Sequence, residues 1–146
     1  MSPQQIELLR DSFMHVLFAP EEAATVFYDR LFALEPETRL LFRDDMVEQG
    51  RLLIGAIAKI ITGLSRPIDM LPELHALAIR HVGYGVAEAH YAAVGSALLE
   101  MVAVQGGGRI DAATEAAWCE AYAFVAETMI EASRVVAPPP MARVQD

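Results

Sequence analysis

The chain has 146 residues, 54% of them apolar, which is enough for one domain with a buried core and argues against global disorder. Eleven basic residues against twenty acidic ones leave a net charge of −9, which repels phosphate backbones and argues against nucleic acid as a partner. Cys119 is the single cysteine, so neither an intrachain disulfide nor a cysteine metal cluster can form, as expected of a reducing, cytoplasmic setting.

The pattern is helical throughout, with no alternating strand run and no repeat of fixed period. Ser2, Pro3 and Gln5 form a start signal for a first helix that runs to about Leu17. That stretch lacks the basic-then-apolar order of a signal peptide. Pro20-Glu21-Glu22 opens a second helix, striped by Ala24, Phe27, Tyr28, Leu31 and Phe32. Pro36-Glu37 starts a short third helix that runs into Phe42, and Arg43-Asp44-Asp45 reads as a turn. A long helix from about Met46 to Thr62 carries Gln49, Leu53, Ile57 and Ile60 on one face, and Gly63 to Pro67 breaks it.

Pro72-Glu73 begins a helix that ends at His81, where Gly83 and Gly85 stop it. The next helix spans about Ala87 to Gln105 with the stripe Tyr91, Val94, Leu98 and Met101. Gly106-Gly107-Gly108 makes a loop, and Asp111 caps a last helix striped by Trp118, Tyr122, Val125 and Met129. The spacing thus predicts an all-α domain of six or seven helices over residues 1–137, followed by a disordered proline-rich tail, 138–146. No apolar stretch is long and uncharged enough to span a membrane.

Three polar side chains interrupt apolar stripes: Tyr28, Gln49 and His81. A buried polar group without a partner costs about 1–3 kcal/mol, so three together suggest one polar object inside the core. Each also has a plainer reading. A core histidine is ordinarily bonded to a carbonyl, a core tyrosine is an amphipathic packer, and Gln49 can sit wet at a rim. The methionines read as core filling. His15, His75 and His90 read as surface residues. His75 and His81 are six apart, on opposite sides of a helix, which rules out a two-histidine metal site there.

Other chemistry has little support. The triple glycine lacks the Lys-Ser/Thr of a phosphate loop, Asp44-Asp45 is too short for a calcium loop, and Cys119 beside Trp118 reads as a buried structural thiol.

Four blocks carry a resemblance that covers about residues 5 to 134: VFYDRLFALEPETRLLF, EQGRLLIGAIAKII, IRHVGYGVAEAHYAAVG and AAWCEAYAFVAETMI. Their order and spacing resemble the globin family, within it the bacterial single-domain haemoglobins and the globin domain of flavohaemoglobins. The resemblance implies a globin fold around a pocket for haem b. It makes His81 the proximal iron ligand and Tyr28 and Gln49 the distal hydrogen-bond donors to a bound gas. Phe42 would pack on the porphyrin, Leu53 would shield the distal side and Leu77 would pack beneath the ring. Arg80 would pair with a propionate. Gly50 would let two helices cross closely opposite Ala24. Tyr91 matches a tyrosine that polarises the proximal histidine. The family's accompanying glutamate falls on Ser133, fifteen residues after Trp118, which implies a weaker proximal push.

The function so implied is reversible binding of dioxygen, and of carbon monoxide and nitric oxide, at a five-coordinate iron. Two alternatives are nitric oxide dioxygenation and gas sensing. The first would need a separate reductase, since no flavin or nicotinamide domain is expected within these residues. A haem-free helical interaction module is a third alternative. As an assembly, a monomer or a homodimer is expected.

Overall fold

The first two helices begin where the local chemistry says they should. In α1 (Pro3–Phe18) the Ser2 hydroxyl accepts the Gln5 N–H at 3.1 Å, and the Gln5 side chain accepts the Ser2 N–H at 3.0 Å. Both ends of that box satisfy donors the first turn leaves open. In α2 (Pro20–Leu34) a proline opens the helix, and Glu21 and Glu22 sit at the positive end of its dipole. A 3-10 helix, Pro36–Leu41, follows and ends at Phe42. Then come α3 (Met46–Gly63), α4 (Pro67–Tyr84), α5 (Glu88–Gln105) and α6 (Ala112–Val136). The computed structural model describes residues 1–42 and 45–136, among which every regular element is helical. The expected turn at Arg43 and Asp44 and the expected tail from 138 lie outside the described residues.

The core is built by pairing. α2 lies against α5, α4 against α6, and α1 crosses α6. Leu9, Val16, Ala97, Met101 and Ala117 are fully or almost fully buried at its centre. Trp118 of α6 donates its indole N–H to the Ser12 hydroxyl of α1 at 2.8 Å, which satisfies the one polar atom of a buried ring. No helix among the described residues is long and apolar enough to cross a membrane.

Three expectations need correction. First, α4 starts at Pro67, not Pro72, which sits inside the helix. Proline at the first turn is favourable, so Pro67 is itself a start signal. Pro72 and Ile68 are both exposed, so water can satisfy the Ile68 carbonyl that receives no bond from Pro72. Second, α4 runs on to Tyr84, and Gly85 alone ends it, in the left-handed conformation with φ of 99°. His81 therefore lies within the last turn rather than at the end. Third, Cys119 is exposed, because it points about 100° around α6 from buried Trp118.

Candidate functional site

The group around Tyr28 and Gln49 is assembled by α2, the 3-10 helix and α3. Asp45 caps α3, its carboxylate accepting the Val47 N–H at 3.0 Å, which places Gln49 one turn into the helix. The Tyr28 hydroxyl donates to the Gln49 backbone carbonyl at 3.3 Å. That is long for an O–H···O bond, and so weak. Tyr28 is only 7% exposed, and burial pushes its phenol up to about 12. The ring is held by three phenylalanines: edge-on to Phe27 at 5.0 Å and Phe42 at 5.2 Å, and stacked on Phe32 at 5.8 Å. Phe32 belongs to the site but reads in sequence as ordinary core. Its signal is its i+4 spacing from Tyr28.

α2 and α3 approach closely because both carry small residues. A Cβ on Gly50 would lie 2.7 Å from the Ala24 Cβ, inside any real contact distance. The expected close crossing at Gly50 and Ala24 is therefore present. Gln49 and Leu53, one turn apart on α3, are both half-buried.

His81 is the second focus. Its Nδ1 lies 2.9 Å from the Leu77 carbonyl, an acceptor only, so Nδ1 carries the proton and donates it. The neutral ring then has its lone pair on Nε2, which meets no hydrogen-bond partner among the described residues. Burial, and secondarily the Arg80 charge, lower the imidazole pKa, against the opposing effect of the Leu77 bond. All three features suit a metal ligand: neutral, oriented through its other nitrogen, with a free lone pair.

The end of α4 meets the end of the 3-10 helix. A Cβ on Gly85 would lie 3.3 Å from Leu41 Cδ2, so the turn after His81 rests on the segment that carries Phe42. Phe42, Leu53, Leu77 and Tyr91 come from four elements, pack against the core, and yet are only partly buried. Arg80 is exposed. The Nδ1 proton of His81 goes to Leu77, not to Tyr91, whose own carbonyl accepts the Tyr122 hydroxyl at 2.6 Å. Ser133 turns back on its own helix and donates to the Ile130 carbonyl at 2.7 Å.

His90, expected on the surface, is largely covered, with 12% of its side chain exposed. Its Nδ1 accepts the Ala87 N–H at 3.0 Å, so Nε2 carries the proton and donates to Glu37 at 3.3 Å. Glu35 completes a cluster whose ligand atoms lie within 4.8 Å. The hydrogen bond between the two carboxyls pushes Glu35 up and Glu37 down. With its lone pair engaged at Ala87, His90 ties the 3-10 helix to α5 and has no nitrogen left for a metal ion.

A family model described as Globin matches residues 25–129. A flavohemoprotein of Rhodopirellula baltica is 30% identical over 134 residues, covering 89% of this chain and 33% of that protein. One of Bordetella parapertussis is 33% identical over 114 residues, covering 75% and 28%. The chain thus spans about a third of the length of the curated flavohemoproteins it matches. Among solved structures, a bacterial globin from Campylobacter jejuni is similar at a TM-score of 0.78 and 28% identity, over 92% of this chain and 98% of that one. Ferric Aplysia limacina myoglobin with azide matches at a TM-score of 0.79 over 90% and 98%, and its 19% identity speaks to fold alone.

Proposed function

The chain belongs to the globin family, and from that premise we propose that it is a haem protein that binds dioxygen reversibly, with residues 1–137 as the globin unit and a cytoplasmic setting. One observation carries the reading: the His81 ring is fixed by Leu77 at Nδ1 and offers a free lone pair at Nε2. Haem b, were it held there, would supply the iron chemistry that binds dioxygen, carbon monoxide or nitric oxide.

The protein's own residues do the rest. His81 Nε2 would hold the iron. Phe42, Leu53, Leu77 and Tyr91 offer partly exposed apolar surface that a flat ring would cover, and covering it excludes water. Arg80, exposed beside His81, would pair with a propionate. The Tyr28 hydroxyl would exchange its weak bond to the Gln49 carbonyl for one to the gas ligand, with the Gln49 amide as a second donor. The high pKa of Tyr28 keeps that proton in place throughout the neutral range.

The test is Tyr28→Phe in stopped flow. A hydrogen bond worth about 1.4 kcal/mol predicts dioxygen release about tenfold faster, with carbon monoxide release changed far less, because dioxygen carries the partial negative charge. Equal effects on the two gases would contradict the donor role.

The flavohemoprotein relatives favour a second reading, nitric oxide dioxygenation. Nitric oxide, dioxygen and one electron give nitrate, and the electron would come from a separate reductase. Nitrate formed well beyond one equivalent per haem, when a cellular reductase is supplied, would distinguish this activity from storage.

A further inference from the structure

Two consecutive backbone donors join His81 to a second histidine. The Val86 N–H donates to the His81 carbonyl at 3.0 Å, and the Ala87 N–H donates to His90 Nδ1 at 3.0 Å. From Nε2 the same ring donates to Glu37 of the 3-10 helix at 3.3 Å. Leu41, at the end of that helix, meets the turn at Gly85. The His90 ring thus closes a loop through the end of α4, the turn, the start of α5 and the 3-10 helix.

His90 stands three residues after the residue that precedes α5, Ala87. In α1 the same position holds Gln5, whose side chain accepts the Ser2 N–H at 3.0 Å. An amide makes that bond at any pH. Ser2 also caps α1 with its own hydroxyl, whereas Ala87 has no polar side chain with which to cap α5. The start of α5 therefore rests on an acceptor that a proton can remove.

A second proton on the ring can go only to Nδ1, since Nε2 already carries one. Nδ1–H and the Ala87 N–H would then be two donors facing each other across 3.0 Å, and that bond is lost. Glu37 acts the other way, because its carboxylate holds a cationic ring more strongly than a neutral one. Glu35, hydrogen-bonded to Glu37, faces the ring from the same helix. On α5 itself, Glu88 is engaged by Arg134 of α6 in two bonds of 2.8 and 3.0 Å. Among the described residues the ring forms its one ion pair with Glu37. Protonation thus keeps His90 on the 3-10 helix and releases it from α5.

We propose that His90 is a pH-sensitive latch, which in acid lets go of the Ala87 N–H and loosens the turn bonded to His81. Resting on the haem reading above, this couples the hold on the iron ligand to pH.

The test is nuclear magnetic resonance on the full chain, loaded with haem and carbon monoxide, from about pH 8 to about pH 5, where imidazoles change charge. The His90 ring should carry its proton at Nε2 at the alkaline end and at both nitrogens at the acid end. With the same midpoint, the Ala87 amide should lose about tenfold in protection from hydrogen exchange, after correction for the intrinsic pH dependence of exchange. Carbon monoxide release should change across the same midpoint. His90→Gln should keep Ala87 protected throughout and remove the change in release. Protection at Ala87 that ignores the His90 titration, or a His90→Gln chain with the wild-type response, overturns the latch and leaves the haem reading standing. A release rate that stays flat while Ala87 opens overturns the coupling to His81. A chain that takes up no haem overturns the haem reading, and the Ala87 amide of the unloaded chain then decides the latch alone.

Discussion

His81 and His90 carry the same imidazole and put it to opposite uses. Both are fixed by a backbone group at Nδ1, but His81 donates to the Leu77 carbonyl and His90 accepts from the Ala87 N–H. The first leaves a lone pair free at Nε2 and the second leaves a proton there. Sequence spacing marks His81 as a misfit on an apolar stripe, but it cannot show which backbone group a ring nitrogen meets. For the same reason His90 reads as a surface residue. Tyr28 gives a residue-scale prediction. Burial raises its pKa from 10.0 to about 12, and burial moves Tyr122 the same way. The fold therefore favours the neutral phenol. The contribution is intact below pH 10, where both folded and unfolded chains are neutral. Between pH 10 and about 12 the unfolded chain ionises first, so stability falls. Denaturation midpoints followed across that window should drop less steeply in Tyr28→Phe than in the wild type. Identical slopes would count against the buried phenol.

At the scale of elements, two glycines on one helix make opposite predictions. Gly50 faces Ala24 across the α2–α3 crossing, and its missing Cβ is what allows the approach. Gly50→Ala gains roughly 0.5–1 kcal/mol of helix propensity but meets a rigid methyl. Overpacking of about 1–3 kcal/mol should win, giving a net loss of about 1–2 kcal/mol in chemical denaturation. Gly55, on the same helix, is exposed, and a Cβ there meets nothing within 4 Å. Gly55→Ala should therefore stabilise by about 0.5–1 kcal/mol. A destabilised Gly55→Ala with an unaffected Gly50→Ala would contradict the crossing geometry. Helix starts are legible here because the signals are local: Ser2 and Asp111 bond to nearby N–H groups, as in the 2.8 Å bond from the Thr114 N–H to Asp111, and Pro3 and Pro20 fix φ at a helical value. The start of α4 is harder to read because two prolines compete. The outcome depends on whether the carbonyl orphaned by Pro72 faces water, which is a tertiary fact. Cys119 is misread for a related reason. One step along a helix rotates a side chain about 100°, enough to carry it from the Trp118 face into solvent.

For the whole molecule, the helical architecture is legible because apolar stripes recur at the helical period in nearly every segment. The family is legible because Phe42, Gln49 and His81 keep their spacing across three elements, and the Globin model over residues 25–129 agrees. What the stripes do not reveal is contact between elements. Gly85 against Leu41, Phe32 against Tyr28, and Tyr84 against His81 all depend on how the chain closes on itself. That closure brings the end of α4 against the 3-10 helix, and the proposed function depends on it. The most direct measurement is the absorption spectrum of wild type and His81→Ala, each given one equivalent of haem, reduced, and exposed to carbon monoxide. The account predicts a wild-type Soret band that shifts with the gas. In His81→Ala it predicts a weakened or displaced band, restored by free imidazole in the buffer. A wild-type chain that folds as a helical protein and takes up no haem, or a His81→Ala spectrum that matches the wild type, would contradict it.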